Sequence, residues 1–420
     1  MEGKEKIQKL LKLDWDIIKN YTFYIFINSL SILIPVIVSP ILINNYGIEF
    51  YGVLMLSQTI MLFFSLLLDN GFRLYFIRQI SQNVDHKLII SSTYSEYMNI
   101  KFYLSILGII IINFYILFFI KSQYQQICFF SEVIFIGNII SPTFLLMGKE
   151  EFVTISIFNG ISRLLYIFFF IFILYDRTHI YLNNLFFGLG YLLTSISMIF
   201  FIYKKYGYKI YLKKITINLG KITPLLLNNT FQNFEIYIHN FLIGFLASKT
   251  ELGIFSAIEK FYSIFKQALI TLIEILYPSV CNQISKKNTK LKNLRGLIYL
   301  VFLFLSIIYT LIFIYKKDIS KYLTKEDGIM QESLLIIFML LPFIILIFNF
   351  KSHLELMALR LDIKLTKITF IILVLKIIFI FILYKNFGVI GIVYSLILTE
   401  ILSGSLKQYF VNKHFRILNE

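Results

Sequence analysis

Two neighbouring hydrophobic stretches, residues 224–246 and 253–277, carry polar and charged side chains at helical spacing. In the first stretch these side chains are Asn228, Gln232, Glu235 and His239. In the second they are Ser256, Lys260, Ser263, Gln267, Thr271 and Glu274, with Lys266 nearby. Residues three or four positions apart lie on the same side of a helix, so each set forms one polar face.

Charged groups within apolar segments have two interpretations. A charge at the centre of a bilayer costs roughly 2.5 kcal/mol or more, so such groups face a bundle interior or a watery cavity. In the first interpretation they pair with one another, for example Glu235 with Lys260, and only hold helices together. In the second they line a polar cavity that accepts a polar, charged solute.

The composition is that of a membrane protein. The chain has 420 residues, of which 58% are hydrophobic, and a mean hydropathy of +0.77. No soluble domain needs so much apolar surface, whereas every membrane-spanning segment does. The net charge of +16 is explained by lysine and arginine in cytoplasmic loops rather than by a nucleic-acid partner.

Hydrophobic runs predict twelve spanning helices, preceded by an amphipathic segment at residues 5–18 that holds Trp15, the single tryptophan. The first run is too long for a cleavable signal peptide. The predicted spans are 21–43, 51–69, 99–120, 126–147, 152–175, 181–203, 224–246, 253–277, 297–315, 333–350, 366–384 and 388–407.

The chain is predicted to consist of two six-helix bundles, residues 1–210 with the amphipathic segment and residues 211–420. "YGVLMLS" at Gly52 and "LGIFSAI" at Gly253 are 201 positions apart (253 minus 52). Such a duplication is a common transporter plan, although chance recurrence of glycine followed by branched residues explains it equally well. Lysine and arginine alternate between connections and place both termini in the cytoplasm, with residues 316–331 as an exception.

Further charges lie in other predicted spans. Arg163 is in the fifth span and Lys376 in the eleventh, while Asp69 ends the second at its cytoplasmic side. The deep cations Arg163, Lys260, Lys266 and Lys376 outnumber the acids, and such side chains suit phosphate. Pro35 and Pro40 predict a bent first span that serves as a hinge.

The sequence offers no signature of catalysis or of a bound cofactor. Five scattered histidines never pair at metal-ligand spacing, and Cys128 and Cys281 are packing residues. Among the histidines only His239 invites a protonation role, because Glu235 is one helical turn away. We therefore predict a protein that is not an enzyme and that holds no metal or cofactor.

Several local motifs together resemble the polysaccharide transporters of the Wzx type, whose superfamily also contains MATE drug exporters and lipid II flippases. The matching stretches are "NNYGIEFYGVLMLS", "LLLDNGF" with Asp69 and Gly71, "MGKEEF" with Gly148, Lys149 and Glu150, "ELGIFSAIEKF" and "LYPSV". They are spread over nearly the whole chain. The motifs are specific for the superfamily but not for the substrate.

The resemblance implies an all-α membrane protein with two six-helix bundles around a central cavity in the bacterial inner membrane. The implied substrate is an oligosaccharide repeat unit on undecaprenyl pyrophosphate, flipped to the outer leaflet for O-antigen or capsule assembly. A polysaccharide polymerase and a chain-length regulator are the implied protein partners. Coupling to an ion through Glu235, His239 or Asp69 stays open, as do a cation-coupled drug antiporter and, less favoured, a membrane-bound polymerase.

Overall fold

The computed structural model describes residues 33–83, 85–175, 179–211, 219–285, 292–359 and 361–419, and every regular element in them is a helix. We number these helices in chain order: α1 Leu33–Tyr46, α2 Ile48–Gln82, α3 Lys87–Phe119, α4 Ser122–Ile140, α5 Thr143–Gly148, α6 Phe152–Tyr175, α7 Tyr181–Tyr206, α8 Leu219–Leu246, α9 Lys249–Ser285, α10 Lys292–Ile314, α11 Lys316–Thr324, α12 Ile329–Phe338, α13 Leu341–Ile344, α14 Lys351–Ala358, α15 Asp362–Phe387 and α16 Val389–Asn419. A π-helical segment, Ile345–Phe350, joins α13 to α14.

Nine stretches of the described residues are long and apolar enough to cross a membrane. They are Ile48–Asp69, Lys87–Phe119, Ser122–Gly148, Phe152–Ile171, Tyr181–Tyr206, Gly296–Ile314, Ile329–Ala358, Ile363–Phe387 and Val389–His414. Shorter apolar helices at Leu33–Tyr46 and Tyr237–Leu246 coincide with the predicted first and seventh spans. The predicted all-helical membrane architecture is confirmed, whereas the amphipathic segment with Trp15 lies outside the described residues.

Packing divides the chain into two compact units. The first unit contains Phe64–Leu226 together with the chain up to Ile34, and the second contains Pro35–Phe63 and Leu227–Glu420. Helix α2 is therefore shared, since its beginning packs in the second unit and its end in the first. The division into bundles at residues 1–210 and 211–420 stays a prediction.

Helices of the first unit approach closely at glycines. A Cβ atom on Gly137 of α4 would lie 2.7 Å from the backbone nitrogen of Leu192 in α7, and one on Gly188 of α7 would lie 2.6 Å from that of Ile134. The Ser195 hydroxyl donates to the Gly137 carbonyl at 2.7 Å. Small residues and hydrogen bonds between helices replace the hydrophobic effect inside a membrane, which explains this α4–α7 contact.

Two glycines also form a crossing within the second unit, between α2 and α9. A Cβ atom on Gly52 would lie 2.1 Å from the Lys249 carbonyl oxygen, and one on Gly253 would lie 2.2 Å from that of Ile48. Ile48 and Lys249 are 201 positions apart (249 minus 48), which is also the spacing of Gly52 and Gly253. The two helices therefore meet through equivalent positions of the sequence motif that suggests duplication.

Helix α11 contains most of the lysines that conflict with the predicted topology. Lys321 contacts Asp327 at 2.7 Å and Lys316 contacts Glu332 at 3.3 Å. The orientation with both termini in the cytoplasm stays a prediction, because the topology rule counts lysine and arginine and gives acidic residues little weight.

Candidate functional site

The first unit contains a polar cavity of about 320 Å³. Helices α2, α4, α6 and α7 supply most of its wall, and α5 supplies one edge. Its polar lining comprises Ser65, Asp69, Arg73, Asn138, Ser141, Thr143, Asn159, Ser162, Arg163, Tyr191, Thr194 and Ser195. Hydroxyl, amide and guanidinium groups at this density form a surface suited to a ligand rich in oxygen atoms.

Arg163 is the cation of α6 that faces this cavity. Its guanidinium donates a hydrogen bond to the Tyr191 hydroxyl at 2.6 Å. The same group lies 5.1 Å from the ring centroids of Phe187 and Tyr191. No carboxylate of the described residues is within ion-pair distance of Arg163. The rings of α7 thus fix the guanidinium, and its charge has no acidic partner within the ranges that the structure describes.

Asp69 lies in the wall of the same cavity. Its carboxylate contacts the Lys101 ammonium at 2.7 Å and accepts a hydrogen bond from the Tyr97 hydroxyl at 2.7 Å. Lys101, whose side chain is 1% exposed, also donates to the Ser141 carbonyl at 2.8 Å. The second span is predicted to end at Asp69, but in the structure α2 continues to Gln82. Asp69 therefore lies within the helix and not at its end.

Sequence reasoning missed two basic residues of this site. Arg73 lies beyond the predicted end of the second span at residue 69, yet it is one helical turn after Asp69 in α2 and lines the cavity. Lys101 was placed near the start of the third span, but α3 begins at Lys87 and buries it. The four-residue spacings of Asp69 with Arg73 and of Tyr97 with Lys101 were the available signals.

The second unit pairs two of the predicted site residues. The Lys376 ammonium on α15 forms an ion pair with the Glu235 carboxylate on α8 and donates to the Glu235 carbonyl at 2.9 Å. The suggested partner of Glu235 had been Lys260, which instead lies half-buried on α9. The charge of Lys376 is therefore balanced by an acid in this structure.

His239 contacts a carboxylate on α9 rather than Glu235. Its Nε2 lies 2.8 Å from the Glu259 carboxylate, which also accepts a hydrogen bond from Asn240 at 3.1 Å. The Nδ1 atom of His239 and the Oδ1 atom of Asn240 are buried and have no hydrogen-bond partner among the described residues. The imidazole is thus held at its Nε2 atom by a carboxylate of the neighbouring helix.

The π-helical segment places a third polar group in the second unit. Asn349 donates to the Glu400 carboxylate at 2.7 Å and accepts a hydrogen bond from Lys407 at 2.8 Å. Lys407 had been assigned to the cytoplasmic tail, but it lies inside α16. Segments of π-helix are rare and are found at functional sites, and here one carries a buried amide between two charges.

The remaining predicted residues are distributed as follows. Lys266 is half-buried on α9, within electrostatic range of the Glu235 and Glu259 carboxylates. The side chains of Asn228, Gln232 and Glu274 lie outside the described part. Pro35 and Pro40 are in α1, and the boundary between the units falls directly before Pro35. The described ranges bring no three metal-ligating side chains together.

Comparison with known proteins decides the family. Residues 17–280, more than half of the chain, match the family model described as "Polysaccharide biosynthesis protein". The chain belongs to this family. A relative from Escherichia coli (strain K12), named "Putative O-antigen transporter", is 22% identical over 420 residues, which cover 94% of this chain and 97% of the relative. The resemblance to Wzx-type polysaccharide transporters is confirmed, and this family member is a multi-pass membrane transport protein.

Solved structures support the same fold at low sequence identity. An inward-facing MATE family multidrug transporter is 13% identical with a TM-score of 0.62, and 95% of each chain is covered. The lipid II flippase MurJ in an inward closed conformation is 15% identical with a TM-score of 0.62, and 86% of each chain is covered. The predicted fold class is therefore confirmed for this family member.

Proposed function

We propose that this protein moves an oligosaccharide unit linked to undecaprenyl pyrophosphate from the cytoplasmic to the outer leaflet of the bacterial inner membrane. The observation that carries the proposal is Arg163, whose guanidinium lines a polar cavity without a carboxylate partner among the described residues. Membership of a polysaccharide biosynthesis family and the name of the E. coli relative support this class of substrate.

The substrate needs a protein because its head group cannot cross lipid unaided. A pyrophosphate and many sugar hydroxyls would lose their water over about 30 Å of hydrocarbon, at a cost of tens of kcal/mol. A polar cavity replaces the lost water with fixed donors and acceptors. The lipid tail meanwhile stays in the bilayer, so only the head group has to be sheltered.

Within the cavity, the side chains divide by chemistry. Arg163 and Arg73 supply positive charge for phosphate, because a guanidinium offers several donors in a plane. Asn138, Asn159 and Thr194 supply donors and acceptors for sugar hydroxyls. In the second unit, Lys260 and Lys266 are the further cations that we propose to bind phosphate. Lys376 would bind phosphate only if the phosphate replaced the Glu235 carboxylate as its partner.

The proposed cycle alternates between inward-open and outward-open states, with a hinge at Pro35 and Pro40. A negative cell interior favours outward movement of an anion by about 2.3 kcal/mol per charge for every 100 mV.

Ion coupling is assigned to Asp69, Glu235 or His239, and a polymerase and a chain-length regulator are the proposed partners. Both termini are placed in the cytoplasm, so a phosphatase fused after Glu420 should be inactive, and an active fusion would contradict this orientation.

The test is complementation of a strain that lacks its own copy of the gene. Arg163→Gln should reduce surface polysaccharide about 10- to 100-fold, because a hydrogen bond to a charged group contributes about 1.5–3 kcal/mol. Arg163→Lys keeps the charge but loses the planar fork, so it should fall between this variant and the wild type. Lys321→Gln, which removes an exposed cation from the second unit, is the matched control.

The outcome also separates the rival functions. Wild-type polysaccharide display by Arg163→Gln at equal protein level would contradict the proposal. Energy-dependent drug efflux without any effect on polysaccharide would identify a cation-coupled antiporter. A change in polysaccharide chain length without lipid-linked units left on the inner leaflet would identify a polymerase.

A further inference from the structure

Three membrane-spanning stretches of the first unit each have one end at a lysine. The stretch Lys87–Phe119 begins at Lys87, Ser122–Gly148 ends just before Lys149, and Tyr181–Tyr206 ends beside Lys205. The charges of Lys87 and Lys205 both act on Lys149. Helix ends that converge in this way lie at the level of the lipid head groups.

Aromatic rings hold Lys149 at this level. Its Nζ lies 3.9 Å from the ring centroid of Tyr206 and 5.3 Å from that of Tyr208. The two rings stack with centroids 5.5 Å apart, and the Lys205 Nζ lies 5.1 Å from the Tyr206 ring. We name Lys87, Lys149, Lys205, Tyr206 and Tyr208 the lysine–tyrosine patch.

The turn that carries Lys149 has a strained backbone. Glu150 has a φ of 60°, which is in the left-handed region. A non-glycine residue there costs on the order of 1 kcal/mol and marks a functional or tightly constrained position. Hydrogen bonds from the Glu150 nitrogen to the Met147 carbonyl and from the Glu151 nitrogen to the Leu146 carbonyl, at 3.0 and 2.8 Å, maintain the turn.

The patch carries an excess of positive charge. Burial lowers the pKa of Lys149, Glu151 opposes this effect, and Lys205 and Lys87 add to the lowering. Glu151 already forms an ion pair with Lys205 at 2.8 Å. The three lysines outnumber the two carboxylates that follow Lys149, Glu150 and Glu151, by one positive charge, which an anion would balance.

The end of α7 and the segment after it expose aromatic side chains. Phe200 is 64% exposed, and Tyr203 and Tyr211 are also exposed. The segment after α7 is fixed to α3, because Ser95 and Asn99 donate to the Tyr211 carbonyl at 2.7 and 2.6 Å. A ligand with a phosphate and acyl chains would match both the charge of the patch and the surface beside it.

We propose that the lysine–tyrosine patch binds the phosphate of an anionic phospholipid from the surrounding bilayer. The ends of three spans put the lysines where head groups lie, whereas a soluble anion would need no apolar surface next to its site. Basic residues at a membrane surface attract anionic lipid with roughly additive strength. Such a site would fix the depth of α4, α5 and α7, which border the cavity.

The proposal is tested on the full-length protein in detergent, with native mass spectrometry to count bound phosphatidylglycerol and, separately, phosphatidylcholine. Each lysine removed should weaken phosphatidylglycerol binding about five-fold, so the variant Lys149→Gln/Lys205→Gln should lose about 25-fold. Lys149→Arg keeps the charge and the ring contact and should bind as the wild type does. The measurement requires no transport, so its outcome is independent of the proposed function.

Lys317→Gln/Lys321→Gln removes the same charge from exposed residues of α11 and should leave most phosphatidylglycerol bound. Equal losses in both double variants would overturn the proposal, since the effect would then be general electrostatics. It would also be overturned if phosphatidylcholine bound equally well, or if inorganic phosphate displaced the lipid, which would indicate an adventitious ion only.

Discussion

The first unit pairs Asp69 with Lys101 but leaves the cation Arg163 beside an open volume, whereas the cations Lys376 and Lys407 of the second unit lie in hydrogen-bonded polar clusters. Arg163 faces the cavity, and in the described part of the chain its side chain donates a hydrogen bond to the Tyr191 hydroxyl. Lys376 is instead paired with Glu235, and Lys407 donates to an amide that also binds Glu400. Cations of the two units therefore differ in whether an acid lies opposite them, and we propose that only the first arrangement leaves charge for a ligand.

The largest expected effect is on the stability of the second unit. Lys376→Met leaves the half-buried Glu235 carboxylate without its partner, which should lower the free energy of unfolding by about 3 kcal/mol. Glu235→Gln should cost a similar amount, while the double variant should recover part of the loss. Thermal unfolding in detergent measures all three, and additive losses would show that the pair is not coupled.

The ion pair in the cavity wall should respond less strongly. Lys101→Met removes the ammonium from Asp69, but the Tyr97 hydroxyl still donates to that carboxylate. We expect a loss of about 2–3 kcal/mol in the free energy of unfolding. The Lys101–Asp69 pair is the more deeply buried of the two, so a loss larger than that of Lys376→Met would show that burial outweighs the remaining Tyr97 hydrogen bond.

Close packing of the second unit gives a third test at the α2–α9 crossing. Gly52→Ala places a methyl group against the Lys249 carbonyl, so the helices must separate, at a cost of about 1–3 kcal/mol. Gly296→Ala is the matched control, because no atom lies within 4 Å of its added Cβ. That substitution should stabilise α10 slightly through its helix propensity. Equal unfolding temperatures for the two variants would argue against a tight crossing.

Arg163→Gln should have little effect on unfolding, in contrast to Lys376→Met. Its guanidinium faces the cavity and balances no buried carboxylate, so the loss should be below about 1 kcal/mol, mainly from the Tyr191 hydrogen bond. Thermal unfolding again supplies the measurement. A loss equal to that of Lys376→Met would mean that Arg163 is a structural residue and would remove the contrast between the units.

The smallest effect is expected at the exposed pair of Lys321 and Asp327. The hydrogen bond from Lys321 to Asp327 raises the pKa of the ammonium. A group whose pKa is raised by folding stabilises the folded protein at pH values below its unfolded-state pKa. That stabilisation is lost as the pH rises through its folded-state pKa. Solvent screens this pair, so Lys321→Gln should leave the unfolding temperature unchanged at neutral pH. A clear decrease that disappears in alkaline buffer would contradict this expectation.

Several features of the candidate site could be read from the sequence, and others could not. Arg163 was identified because it interrupts an apolar run, and the structure places it in the cavity wall. Lys101 escaped notice because the start of α3 was predicted twelve residues too late. Helix ends depend on packing and are poorly marked by hydropathy, so charges near predicted ends were assigned to loops.

The sequence by itself determined the helical membrane architecture and the family, because hydrophobic run length and local motifs are properties of neighbouring residues. Tertiary structure alone decided which charges are neutralised. Lys376 and Glu235 are 141 positions apart, and no local pattern distinguishes this pair from Glu235 with Lys260. Whether a buried charge is neutralised depends on the side chains of the helices packed around it, and only folding brings those helices together.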